Sequence, residues 1–283
     1  MCRFALYLGN EITISSLLTE PANSMIKQSV HSQELVEPLN GDGFGIAWYV
    51  DDVEQPAIFK DITPAWNNLN LLNLARVTKT GCLLAHVRAA TIGLPVQRLN
   101  CHPFSHGAHS FMHNGTVGGF RAVRRQLLSS LSDAAFGAIL GSTDSEHVFG
   151  LVIDQMARAD EDADPLQSMR GAIRGAIAQT EELRHQAQVE EPSFLNMALT
   201  DGRRAVVSRF VSSEPQRAIS LYVLSGDRYV CEDGVFRMVG DRDGGAVIVA
   251  SEPLSKDPGW EPVPPNHLVV VDEHLSASAS PLD

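Results

Sequence analysis

The sequence predicts an α+β fold in which helices pack against antiparallel sheets. Three observations carry that prediction. Strand-like apolar runs crowd both ends of the chain, a block of helical patterns fills the middle, and no repeat or low-complexity segment breaks the order. With 283 residues the chain could form one large domain or two small ones. No clear linker divides it, so one domain spanning residues 2–283 is expected.

Residues 3–8 form a short apolar run closed by Gly9-Asn10, which suits a buried strand with Cys2 held at its start. Residues 13–18 read as a short helix capped by Thr13. Residues 43–50 (GFGIAWYV) and 82–87 (CLLAHV) read as strands. Between them, leucines at 69, 72 and 74 favour a helix over 65–77. Residues 111–113 make another short strand, stopped by Asn114-Gly115. Residues 120–131 form an amphipathic helix with Arg121, Arg124 and Arg125 on its wet side. The helix over 143–156 opens on Thr143-Asp144-Ser145-Glu146, which has capping-box spacing. Residues 165–186 follow as a long helix, with Leu166, Met169, Ile173 and Ile177 at helical spacing. Beyond Glu190 the signals become strands: FLNMALT, AVVSRF, ISLYVLSG, GAVIVAS and a last one at 268–272.

Composition narrows the functional classes. The formal net charge is −12 with no basic arm or stripe, which disfavours nucleic-acid binding. The four cysteines, Cys2, Cys82, Cys101 and Cys231, form no CxxC pair and are too few for a disulfide framework, so thiols in a reducing compartment are expected. No apolar run reaches the ~18 residues a membrane helix needs, and no leader pattern opens the chain. The expected setting is the cytoplasm, with no membrane association.

Cys2 directly follows Met1. Trimming of Met1 would give a first residue that carries a thiol and a free α-amine together. That amine has a reference pKa of about 7.7–8.0 and can act as the base a nucleophile needs. Three other segments carry chemistry. Arg88, in AHVRAAT at the end of an apolar strand, would be costly without an anion, and its fork suits a carboxylate; a structural ion pair is an equal reading. Asn114-Gly115 is a turn signal, but an amide and a neighbouring N–H could also form an oxyanion hole. Asp144 could complement a helix dipole or bind an ammonium group. A thiol, a carboxylate-binding arginine, a two-donor oxyanion hole and an ammonium-binding aspartate together match a γ-glutamyl amide.

Read in order, MCRFALYLG, GDGFGIAWY, AHVRAAT, HPFSHG, FMHNGTVGG and STDSEHVF resemble a class II, N-terminal-nucleophile glutamine amidotransferase domain, with weaker matches at VASEPLS and VPPNHLVVVD. The resemblance implies the four-layer αββα sandwich of the Ntn hydrolases. It makes Cys2 the nucleophile and Asn114 with Gly115 the oxyanion hole. Arg88 and Asp144 would fix the glutamyl head group, with His86 and His113 also among the substrate-binding residues. Within the family the chain is most similar to the short γ-glutamyl amidohydrolases of ergothioneine synthesis and glutathione breakdown, since no synthase domain and no GxxxxGK[ST] loop follows.

The expected activity is hydrolysis of a small-molecule γ-glutamyl amide through a Cys2 thioester, with no cofactor and no metal. The alternative is an amidotransferase subunit that delivers ammonia to, or is activated by, a separate protein partner. More distant readings are a non-catalytic interaction protein and a zinc site at Cys101, His102, His106, His109 and His113, although the glycines, serines and proline there suit loops. The leaving-group pocket is expected among loops 31–42 and 92–100 and around Trp66.

Overall fold

The computed structural model describes residues 2–34, 39–90, 93, 95–160, 162–240 and 244–282, the side chain of Gln216 excepted. In chain order the elements are β1 Arg3–Thr13, α1 Ser15–Leu18, α2 Met25–Val30, β2 Phe44–Trp48, β3 Ala57–Asp61, α3 Leu69–Val77, β4 Lys79–Val87, β5 Phe104–His106 and β6 His109–Thr116. A helical block follows: α4 Phe120–Ser130, α5 Asp133–Gly137, α6 Asp144–Ala157 and α7 Pro165–Gln186. The last third holds β7 Phe194–Thr200, β8 Ala205–Arg209, β9 Tyr222–Gly226, β10 Arg228–Glu232, β11 Val235–Val239, β12 Ala246–Ala250, β13 Glu261–Pro262, β14 His267–Val271 and β15 Ala277–Pro281.

Two antiparallel sheets result. The first has strand order β13-β9-β12-β1-β4-β2-β3 and the second β15-β14-β8-β7-β6-β5, with β10 and β11 as a separate hairpin. Period-two alternation then sorts each strand's side chains. On β1, Phe4, Leu6 and Leu8 join Leu84, Met112, Ala198, Val207 and Val249 in an apolar layer between the sheets. Ala5 and Tyr7 point the other way, against Leu17, Met25 and Leu71 of α1, α2 and α3. The outer face of the second sheet packs Phe111, Leu195 and Met197 against Val123, Leu127, Val148, Met169 and Ile173 of α4, α6 and α7. Helix, sheet, sheet, helix is the αββα sandwich.

Local sequence explains most of the helices. Asn68, Thr143 and Asp164 cap α3, α6 and α7 by accepting N–H groups of the first turn, and Pro165 sits where its missing N–H costs nothing. Four expectations need correction. Thr13 ends β1 instead of capping a helix, and α1 follows Ile14 with no side-chain cap. Gly9-Asn10 does not end β1: the pairing with β4 shifts register between Leu8 and Ile12, so a bulge absorbs the pair. Asn114-Gly115 is no turn but lies inside β6, paired with Asn196 and Leu195 of β7. The capping box is half formed: Thr143 accepts the Glu146 N–H, while the Glu146 carboxylate reaches past it to the N–H groups of Leu140 and Gly141. Among the described residues, no helix is long and apolar enough to cross a membrane.

Candidate active site

The inter-sheet alternation gathers polar residues at one end of the sandwich. Cys82 and Leu84 of β4 face inward, so His86 and Arg88 do as well. By the same parity Ser251 follows Val249, Asn114 follows Met112, and Asn196 precedes Ala198 on the inner face. β1 pairs with β4 as Arg3 to Val87 and Phe4 to His86, a register that carries on to Cys2 beside Arg88. On its other side Phe4 exchanges backbone and side-chain hydrogen bonds with Ser251. Cys2, Arg88, Asn114 and Ser251 therefore meet where the strands end.

The half-buried Cys2 thiol donates to the Ala89 carbonyl at 3.6 Å. Burial pushes its pKa up; the nearby Arg88 charge pulls it down and Asp144 adds to the rise. Arg88 is only 3% exposed. Its Nη1 donates to the Asp42 carbonyl at 3.4 Å, and among the described residues no acid lies within ion-pair distance of it. The structural ion pair that sequence alone left open is therefore not formed. A nearly buried guanidinium with one carbonyl partner is a strong site for an incoming carboxylate. The Asp42 carboxylate takes the Ala90 N–H at 2.8 Å and pins this strand end in place.

Asp144, at the first turn of α6, accepts the Ser145 N–H at 2.9 Å and the Val117 N–H at 2.8 Å. It thus ties the end of β6 to the helix terminus and stays half-buried. Asn114 is fully buried; its Nδ2 donates to Ser251 Oγ over a long 3.4 Å, and its Oδ1 has no partner among the described residues. Gly115 is required by close approach, since a Cβ there would fall 1.8 Å from the Phe194 carbonyl oxygen.

His86 and His113 stand behind this group. Each is 1% exposed. A carbonyl can only accept, so His86 Nε2–H donates to the His113 carbonyl at 3.3 Å and His113 Nε2–H to that of Phe194 at 2.9 Å. His113 Nδ1 then accepts from the Ser145 hydroxyl at 2.9 Å. Burial pushes His86 down to about 3 and lowers His113, so both rings stay neutral. Both His113 nitrogens and His86 Nε2 bind protein and brace β4, β6 and α6 against one another, while His86 Nδ1 has no partner among the described residues. His86 also stacks on His102, ring centroids 4.2 Å apart.

Three further residues hold the strand that Cys2 leads into and escaped the sequence reading. Arg3, one place from Cys2, points outward and pairs with Glu252 through Nε at 2.7 Å, both side chains buried. Glu252 also accepts the Ser32 hydroxyl and the Gln33 N–H. Burial works to raise its pKa, but these donors and Arg3 outweigh it and hold the carboxyl below the usual range. Ser251 is the third, bridging β1 and Asn114. Ser251-Glu252 falls in the VASEPLS segment, and inward-outward parity beyond AVIVA was its only available signal. Thr91, from AHVRAAT, lies outside the described residues, as do 35–38, 92 and 94 of the loops expected to hold the leaving group. Among the described residues no three His, Cys, Asp or Glu side chains could hold a metal ion, and Cys101 instead meets the carbonyls of Asp61 and Gln97.

Residues 33–280 match the sequence profile of the class-II glutamine amidotransferases. A probable glutamine amidotransferase of Saccharomyces cerevisiae, DUG3, is 41% identical over 96% of this chain and 82% of its own. A γ-glutamyl-hercynylcysteine sulfoxide hydrolase of Mycolicibacterium smegmatis is 28% identical over 97% of this chain and 98% of its own. Among solved structures, a glutamine aminotransferase class-II domain protein of Silicibacter pomeroyi superposes with a TM-score of 0.68 at 26% identity, covering 99% of each chain.

Proposed function

Since the chain belongs to the class II glutamine amidotransferases, we propose that residues 2–283 form one domain that hydrolyses a γ-glutamyl amide through a thioester on Cys2. The products are glutamate and an amine. Two similarities support γ-glutamyl chemistry: the hydrolase of Mycolicibacterium smegmatis is named for a γ-glutamyl substrate, and the yeast relative for glutamine amidotransfer. The observation that carries the reading is the convergence of Cys2, Arg88, Asn114 and Asp144 at one end of the inter-sheet layer.

With Met1 removed, the α-amine of Cys2 takes the thiol proton, directly or through a water, and the thiolate attacks the γ-carbonyl carbon. Arg88 pairs with the substrate α-carboxylate and Asp144 with its α-ammonium. The oxyanion is met by Asn114 Nδ2–H, whose second hydrogen stays on Ser251 Oγ, and by the Gly115 N–H. Collapse breaks the C–N bond, and the amine leaves with the proton held by the α-ammonium. Water, deprotonated by the same amine, then opens the thioester and restores the thiol. His86 and His113 hold the strands and take no proton, since burial keeps both neutral.

A panel of glutamine, glutathione, γ-glutamyl polyamines and γ-glutamyl thioether sulfoxides, followed by glutamate release, tests this. Intact mass establishes that Cys2 is the first residue. Release from at least one compound is expected. Release from none, with an N-terminal cysteine confirmed, would contradict the reading.

A further inference from the structure

A γ-glutamyl head group carries its carboxylate and its ammonium on one carbon, so the residues that read them must stand at a fixed offset. Arg88 and Asp144 come from opposite sides of the sandwich. Arg88 follows β4 in the first sheet, whereas Asp144 opens α6, which packs on the outer face of the second. A misplacement of ~1 Å, even from a change far from the chemistry, can cost about 10²-fold in rate. Three consecutive buried residues, Asn100, Cys101 and His102, touch both sides.

On the Arg88 side, Cys101 Sγ fills the space beside Gly43, where a Cβ would fall 2.8 Å from the sulfur. The Gly43 carbonyl accepts the Arg88 N–H at 2.9 Å, and Asp42 donates its own N–H to the Arg88 carbonyl at 2.9 Å. Asp42 also holds the guanidinium. The ring of His102 stacks on that of His86, two residues before Arg88. Arg88 is thus seated against 101 and 102 through its own strand and the segment that leads into β2.

On the Asp144 side the contact is made by Asn100. Its Oδ1 accepts the Ser142 N–H at 2.9 Å, and its Nδ2 donates to Ser142 Oγ at 3.2 Å and to the Pro95 carbonyl at 2.9 Å. An amide offers an acceptor oxygen and two N–H donors, and here all are engaged. Ser142 lies two residues before Asp144. The approach is close, since a Cβ on Gly141 would fall 2.6 Å from Asn100 Oδ1. The N–H groups of Leu140 and Gly141 go to Glu146, which belongs to α6 itself. The Asn100 bonds instead lead out of the helix, to the residues that pack on the Arg88 side.

We propose that Asn100 is a positioning residue for the head group: by holding the approach to α6 against the Cys101–His102 seat of Arg88, it sets where Asp144 meets the substrate ammonium. This rests on the amidohydrolase reading above, in which Arg88 takes the α-carboxylate and Asp144 the α-ammonium. Asn100 acts through Ser142 and touches no reacting atom.

The test compares glutamine, or the fastest γ-glutamyl compound of the panel above, with its glutaryl counterpart (4-carbamoylbutanoate for glutamine), which lacks only the α-ammonium. The preference is the ratio of the two kcat/KM values. In the wild type it should be about tenfold or more, from the worth of a hydrogen bond to a charged group. Asp144→Ala should bring it toward one. Asn100→Ala should lower it by about threefold or more, the scale of coupling within one hydrogen-bond network. That loss should come from a higher KM for the γ-glutamyl compound, with kcat/KM for the glutaryl compound within about twofold. Ser142→Ala removes one partner of the amide and keeps the Ser142 N–H, so it should narrow the preference less, in the same direction. It decides the matter if Asn100→Ala fails to fold. Equal losses on both compounds, or an unchanged preference, would make Asn100 a structural residue only and overturn the proposal. A wild type without preference, or an Asp144→Ala variant that keeps it, overturns the head-group reading beneath the proposal. Cleavage of no panel compound by protein with a confirmed N-terminal cysteine overturns the amidohydrolase reading as well.

Discussion

Two thiols sit between the same two sheets, at opposite ends. Cys2 begins β1; Cys82, on β4, pairs with Leu8, six residues further along β1 and so about 20 Å away. Burial pushes both thiols up. The Cys82 end even holds a cavity of about 1150 Å³, bordered by Tyr49, Asp201 and Arg204. Yet Arg204, Thr200 and Tyr49 there are held by protein partners. Arg204 pairs with Asp201 at 3.1 Å and Glu273 at 3.0 Å, Thr200 Oγ1 donates to the Arg204 carbonyl at 2.6 Å, and the Tyr49 hydroxyl donates to that of Ala108 at 2.8 Å. Among the described residues, the Cys2 end keeps Arg88 without an acid and Asn114 Oδ1 without a donor. What separates the proposed nucleophile from a buried thiol here is unreturned charge and hydrogen bonding, not the volume beside it.

The largest break in the comparison is substitution of the thiols themselves. Cys2→Ala should lower glutamate release by at least about a thousandfold. Cys82→Ala should leave kcat/KM within about twofold, because none of its neighbours faces the reaction. Steady-state kinetics on both variants would refute the assignment if the two losses were similar.

Next in size is Asn114→Ala, expected to reduce kcat by about 10²–10³-fold, or ~2.7–4 kcal/mol of barrier, with a smaller change in KM. Retention of most of the kcat would remove Asn114 from the oxyanion site. Arg88→Ala should behave oppositely, raising KM more than it lowers kcat, because the α-carboxylate is held in ground and transition states alike.

A third contrast concerns pH. The Cys2 end packs His86, His102 and His113, all lowered by burial, His86 to about 3. Each imidazole is neutral when folded but binds a proton below about pH 6.5 when unfolded. Unfolding therefore takes up protons, and stability should fall as pH drops below about 6.5, for His86 down to about 3 and by up to ~1.4 kcal/mol per pH unit, with His102 and His113 adding in the same direction. Urea denaturation at pH 7.5 and 5 measures this. His102→Phe, replacing a ring that has no hydrogen-bond partner among the described residues, stacks on His86 and lies tilted against Phe104, should flatten the slope. An unchanged slope would place the titration elsewhere.

Particular residues show what was legible in the sequence. Helices α4, α6 and α7 follow directly from apolar spacing and caps, because those signals are local. Asn114-Gly115 misled as a strand terminator: the pair is held in β6 by β7, eighty residues later, and local propensity cannot register that pairing. The extension of β1 past Gly9-Asn10 likewise depends on a bulge set by β4. The candidate residues Cys2, Arg88, Asn114 and Asp144 could be named from residue chemistry and motif. The scaffold that aims them could not. Arg3 and Glu252 lie 249 positions apart, and only sheet order makes them neighbours.

The contrast between the two thiols is tested most directly by covalent labelling. The protein, with its N-terminal cysteine confirmed, is incubated with a glutamine analogue bearing an electrophilic diazoketone in place of the amide, and the adduct is located by peptide mass. The account predicts a single adduct on Cys2, abolished by excess glutamine and absent from Arg88→Ala at matched concentration. Labelling of Cys82, or of neither thiol, would contradict it.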